Sequence, residues 1–212
     1  PAATAVDSPT STPTPLTVFA PTSNGLGADP FALVWAGTKL SGLNGSGRAP
    51  SVLTMDLMRS KGQTSMPQKG WLSVTVPGAP ALWRDLHARF GKLPFATLFE
   101  PAILFAANGY PVSPIVAYYW ARSVPIYTGL AGAEYKSWGP VFAPHGHAPA
   151  SGEKWSSHDH AATLRRLAAS NSDDFYTGQT AAAHVKFASN TGGATPAHRL
   201  PPPPHPPAPP LP

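Results

Sequence analysis

The sequence predicts an α+β fold that is rich in helix and carries a few short strands. Two observations predict it. Short β-prone apolar runs bounded by Gly and Pro sit before residue 77, at "LTVFAP" (16–21), "PFALVW" (30–35) and "WLSVTV" (71–76). From residue 79 onward, apolar residues recur instead at helical spacing in several separate segments. The 212 residues are 42% hydrophobic, enough for a core, but only 12% charged.

Each element follows from local chemistry. Residues 1–15, "PAATAVDSPTSTPTP", contain four prolines among Ser, Thr and Ala and read as coil. "PFALVW" and "KLSGLN" (39–44) flank "AGT" and predict a hairpin, with Pro30 at the first strand position. "SVLTMDLMRSK" predicts a helix entered after a Ser51 cap. After Pro77–Gly78, "PALWRDLHARFGKL" places Leu82, Trp83, Leu86 and Phe90 on one helical stripe that stops at Gly91. "PFATLFEPAILFAANGY" predicts a second, buried helix, kinked or restarted at Pro101 and ended by Asn108–Gly109. "SPIVAYYWARS" predicts a third, with Pro114 in its first turn.

Residues 128–157 are rich in Gly, Pro, Ser and His and read as an extended surface loop. "SHDHAATLRRLAASN" is a helix, and "DDFYTGQTAAAHVKFASNTGG" is a loop leading into a helix capped near Thr177. The last twelve residues hold nine prolines, and 196–212 is expected to be disordered. The domain reading is therefore a globular region at 16–195 between two biased ends.

Composition narrows the function. Cysteine is absent, which removes disulfides, thiolate metal sites and a Cys nucleophile. The net charge is +5, but the fifteen Lys and Arg are scattered singly apart from Arg165–Arg166, so no nucleic-acid footprint is expected. No apolar run is long enough to predict a membrane span. No cofactor motif is present. "LNGSGRAP" is not a phosphate loop: no Lys-Ser/Thr pair follows its glycines, and Pro50 stands where a dinucleotide fingerprint needs its third glycine. Arg48 has two readings, a solvated arginine on a turn or a planar guanidinium offered to a carboxylate. The pairs His145/His147 and His158/His160 supply imidazoles but no third ligand at metal-site spacing, so no metal is expected. No G-x-S-x-G elbow occurs.

Several blocks in order resemble the γ-glutamyltranspeptidase (γ-glutamyltransferase, glutathione hydrolase) family of N-terminal-nucleophile hydrolases. They are "AVDSPTSTPTPLTVFAPTSNGLGADPFALVW", "LNGSGRAP", "WLSVTVPGAPALWRDLHARFGKLPFATLFEPAILFAANGYPVSP" and "DDFYTGQTAAAHV", together covering roughly residues 5–195. The resemblance implies part of a four-layer αββα sandwich and γ-glutamyl transfer from glutathione-like donors to water or an amino acid. Relatives act on other amides, including cephalosporin side chains. It also implies a chain that cuts itself, so that a Thr at the new N-terminus of the small subunit serves as nucleophile and supplies its own base.

All the matched blocks are of the large-subunit kind. The family's Thr-Thr-His start is not in this sequence. The resemblance therefore assigns no catalytic residue here, and the chain is expected to be inactive alone. It implies a small-subunit half as partner and a γ-glutamyl or related amide as substrate. Other readings are a large-subunit partner for a separately encoded small subunit, or an interaction protein working through its proline tail. The family's carboxylate-reading arginine would align with Ser46, and Arg48 lies two residues further on. Both are candidate substrate-binding residues. The expected Gly-Gly-Asp reads Gly27-Ala28-Asp29.

Overall fold

The computed structural model describes residues 13–193. The elements in order are α1 (Pro13–Phe19), β1 (Phe31–Ala36), β2 (Lys39–Asn44), α2 (Met55–Ser60), α3 (Ala79–Phe90), α4 (Glu100–Asn108), β3 (Tyr110–Pro111), α5 (Pro114–Thr128), α6 (Trp138–Phe142), β4 (Lys154–Trp155), α7 (His158–Ala169), α8 (Asp174–Thr177) and α9 (Gln179–Thr191). Single 3₁₀ turns lie at Trp71–Ser73, Phe95–Phe99 and Ala133–Tyr135. The described residues divide into two compact units, 13–25 with 91–169 and 26–90 with 170–193.

The first unit is built on helices. α4 packs on α7 and on α1. Its core holds Val18, Leu98, Phe99, Ala102, Ala106, Trp120, Trp155, Ala161, Leu164 and Leu167. Trp120 meets Trp155 edge-on at 5.1 Å and donates from Nε1 to the Phe142 carbonyl at 2.8 Å. The Tyr110 hydroxyl donates to the Val18 carbonyl at 2.9 Å, and burial raises that phenol to about 12.

The second unit begins with the β1–β2 hairpin. Its antiparallel register runs from Phe31↔Asn44 to Ala36↔Lys39, closed by the two residues Gly37–Thr38. Val34 and Leu43 face inward and are buried. Phe31, Leu33 and Trp35 point the other way, at 71%, 73% and 68% exposure. α3 buries Ala79 through Trp83 and Leu86; of the expected stripe, Leu82, Trp83 and Leu86 are buried and Phe90 at its end is half-buried.

Several expectations are corrected. "LTVFA" is not a strand: Leu16–Phe19 belong to α1, and residues 13–15, read as coil, form its first turn. Pro13 and Pro15 are tolerated there because first-turn N–H groups have no intrahelical partner. Burial of Thr14, Thr17 and Val18, with Thr14 Oγ1 donating to Leu98 O at 3.2 Å, outweighs the few tenths of a kcal/mol that β-branched residues cost a helix. "WLSVTV" forms a 3₁₀ turn and then extended backbone whose Val76 N–H pairs singly with Arg48 O, with no ladder beside it.

α2 starts at a Thr54 cap rather than Ser51, with Thr54 Oγ1 accepting from Leu57 N. Pro101 restarts the chain: a 3₁₀ turn ends at Phe99 and α4 follows with proline in its first turn. α4 buries only Ala102 and Ala106, because it lies on neighbours by one stripe, and Leu104 and Phe105 stay exposed. α5 runs on to Thr128, and the expected loop 128–157 contains α6, β4 and a 3₁₀ turn. α9 is entered at Gly178, beside Thr177 as expected. The Asp174 carboxylate does the capping, accepting from Gln179 N at 2.8 Å and from Thr180 N and Oγ1. The proline-rich stretch and residues 1–12 lie outside the described residues.

Candidate functional site

Ser46 and Arg48 sit on the segment that leaves β2, and the hairpin register explains its course. Partners in β1 and β2 sum to 75 (31 + 44), and the pairing carries on past the last ladder pair: Gly45 N donates to Pro30 O at 2.8 Å. One step further the same register sets residue 29 against residue 46. There the Asp29 carboxylate accepts from Gly47 N at 2.9 Å and from Thr75 Oγ1 at 3.3 and 3.2 Å. Beyond it, Val76 N donates to Arg48 O at 3.0 Å. The segment is thus held between the entry to β1 on one side and residues 75–78 on the other.

The approach is close enough to demand glycine. A Cβ on Gly47 would fall inside the radius of the Val76 carbonyl oxygen, and one on Gly78 inside that of Gly45. The glycines that invited a phosphate-loop reading therefore serve backbone packing.

The structure brings the two predicted site residues together but uses them differently. Ser46 turns inward on its own loop: its Oγ donates to Asn44 Oδ1 at 2.7 Å, and its N–H donates to the same oxygen at 2.9 Å. Arg48 is exposed, and among the described residues no group forms an ion pair or side-chain hydrogen bond with its guanidinium. The arrangement offers a planar cation from a backbone held on both sides, which suits a carboxylate.

Tyr176 is a residue that sequence reasoning missed. Its hydroxyl donates to Pro77 O at 2.9 Å and accepts from Ala81 N at 3.0 Å. It ties "FYTG" to "VPGAPA", and burial holds the phenol protonated, well above its ordinary range. Nothing local announces this, since the partners are nearly a hundred positions apart. Asp29 was legible only in part: it stands two residues before β1, and the hairpin register sets residue 46 opposite it, one short of the Gly47 N–H that it holds.

The histidine pairs do not converge. The His145 and His147 rings lie 6.1 Å apart, and His147 Nδ1 is 2.9 Å from Ala148 O. His160 Nε2 lies 3.0 Å from Thr17 Oγ1. That hydroxyl already donates to Thr14 O at 2.7 Å, so the ring must be the donor. Burial lowers His160 to about 4. No group of three or more metal-ligating side chains forms among the described residues, and no helix among them is long and apolar enough to cross a membrane.

The family model described as gamma-glutamyltranspeptidase matches residues 2–198. The chain belongs to the gamma-glutamyltranspeptidase family. Among solved relatives of this gamma-glutamyltranspeptidase-family chain, cephalosporin acylase from Bacillus halodurans superposes with a TM-score of 0.88 at 46% identity, covering 92% of this chain and 37% of that one. The Helicobacter pylori gamma-glutamyltranspeptidase superposes at 0.83 over 93% of this chain and 57% of its own, with 23% identity, a likeness of fold. The glutathione hydrolase-like YwrD proenzyme of Bacillus subtilis (strain 168) is 33% identical over 180 residues, 84% of this chain and 33% of the relative.

The chain spans about a third of the length of such curated relatives. Its helix-rich structure with few strands is an α+β fold, part of the N-terminal-nucleophile hydrolase architecture of these gamma-glutamyltranspeptidase and acylase neighbours.

Proposed function

We propose that this chain supplies the carboxylate-reading half of a γ-glutamyl-type amidohydrolase or transferase, and that Arg48 is its substrate-binding cation. The observation that carries this is the exposed Arg48 guanidinium, without a partner among the described residues, on a loop clamped at Gly47 and Arg48. Ser46, at the position that the resemblance assigns to the carboxylate-reading arginine, supports the loop from within instead. The bond-breaking nucleophile belongs to the Thr-bearing small subunit, and this sequence holds no Thr-Thr-His. The chain alone turns over nothing. The exposed Phe31, Leu33 and Trp35 face suits a partner half that supplies further sheet.

The test is calorimetric titration of the full chain with L-γ-glutamyl-p-nitroanilide and with N-butyryl-p-nitroanilide, which has no carboxylate. The γ-glutamyl compound should bind about tenfold tighter, the worth of one good charge-assisted pair. Arg48→Ala should erase the difference. Equal binding of both compounds by the unaltered chain overturns the assignment. Release of p-nitroaniline above a buffer blank by the purified chain overturns its inactivity. Production together with a small-subunit relative should yield a complex that does release it.

A further inference from the structure

We propose that Asp29 is the positioning residue that aims Arg48, an inference resting on the carboxylate-reading assignment just made. No hydrogen bond or ion pair joins Asp29 to the Arg48 side chain, so Asp29 acts through the backbone. Its carboxylate takes the Gly47 N–H on one side and the Thr75 hydroxyl on the other. Thr75 adjoins Val76, whose N–H holds the Arg48 carbonyl. Gly47 and Arg48 are thus tied at successive residues, the first through Asp29 and the second through Val76. The two ties meet on the 75–76 segment.

Charge-assisted hydrogen bonds of this kind are stronger than neutral ones. They join positions 18 and 46 residues apart in sequence. Removing the carboxylate leaves the Arg48 guanidinium its charge and its exposure but frees the peptide that sets its direction. The cost then falls on binding of a carboxylate, because a mobile cation loses more freedom on engaging its partner. Ser46 offers no carboxylate in place of Asp29, and its N–H and hydroxyl proton both go to Asn44 Oδ1.

The test uses the full chain and the two p-nitroanilide probes. Asp29→Ala should weaken the γ-glutamyl probe severalfold to about tenfold and leave the butyryl probe unchanged. Asp29→Asn, whose amide oxygen still accepts from Gly47 N–H, should keep most of the affinity. Asp29→Ala in an Arg48→Ala background should add nothing, because the two residues act as one unit. Amide exchange of Gly47 should quicken in Asp29→Ala and stay slow in Asp29→Asn.

Equal losses for both probes would mark a general disturbance and overturn the proposal. So would additive losses in the double variant, or unchanged Gly47 exchange in Asp29→Ala. If Arg48→Ala leaves the preference intact, the carboxylate-reading assignment fails. The exchange measurement then still decides whether Asp29 holds the loop.

Discussion

The two compact units are held by different means. Residues 13–25 and 91–169 cohere by apolar packing, with tryptophan against tryptophan and helix against helix. Residues 26–90 and 170–193 depend more visibly on single polar ties at close backbone approach: Asp29 to Gly47, Val76 to Arg48, Tyr176 to Pro77 and Ala81. Tolerance to substitution therefore differs between them. A packed core loses stability in proportion to the volume removed, whereas a tied backbone fails at one atom.

The largest expected effect tests the packed unit. Trp120, 1% exposed, anchors the aromatic cluster. Trp120→Ala should cost about 3–5 kcal/mol, read as a lowered urea midpoint. Amide protection should fall most within 91–169. A uniform loss across both units would show them to be one cooperative body.

Acid should strike the same unit next. His160 is neutral when folded, with its value near 4 against 6.5 when free. The unfolded chain therefore takes up the proton first. Stability should be level above about pH 7 and fall as pH drops from 6.5 toward 4, by up to about 3 kcal/mol. Urea midpoints at pH 7.5 and 4.5 measure this, and His160→Gln should flatten the slope. His184, lowered by burial beside Phe175, acts in the same direction in the other unit.

In the tied unit, Tyr176→Phe removes one oxygen and strands the Ala81 N–H and the Pro77 carbonyl. It should cost about 2 kcal/mol in a thermal or urea melt. A loss below a few tenths would mean that water takes the hydroxyl's place. The smallest effect belongs to the hairpin's outer face. Leu33→Thr with Trp35→Thr should change stability by less than about 0.5 kcal/mol in the isolated chain, because neither residue is covered. The same change should abolish association with a small-subunit half, if that half seats there.

Legibility in the sequence followed the range of the interactions. The hairpin, α3 and α7 were readable because turn residues and helical stripes act over a few positions. The restart at Pro101 was readable because proline acts on its own turn. α1 was not, since Thr17 and Val18 prefer strand locally and are held in a helix by contacts with residues such as Leu98 and His160. Residues 71–76 have strand composition, but only Val76 finds a backbone partner in the described structure beyond its own turn. At the candidate site, Arg48 and Ser46 could be picked out as candidates by residue type and position. Their surroundings could not, because Ser46 is held by Asn44 and Gly47 by Asp29. The reason for glycine at 47 lies at Val76, far along the chain.

The bare outer face of the hairpin also makes Trp35 an optical probe. Trp83, Trp120 and Trp155 are buried and shielded from an aqueous quencher and Trp71 and Trp138 are half-buried, while Trp35 stands open to it. Acrylamide should therefore dim a red-shifted share of the emission that Trp35→Phe removes. Whatever comes to lie on β1 should restore that light and shift it toward the blue, so the chain reports its own occlusion without a label.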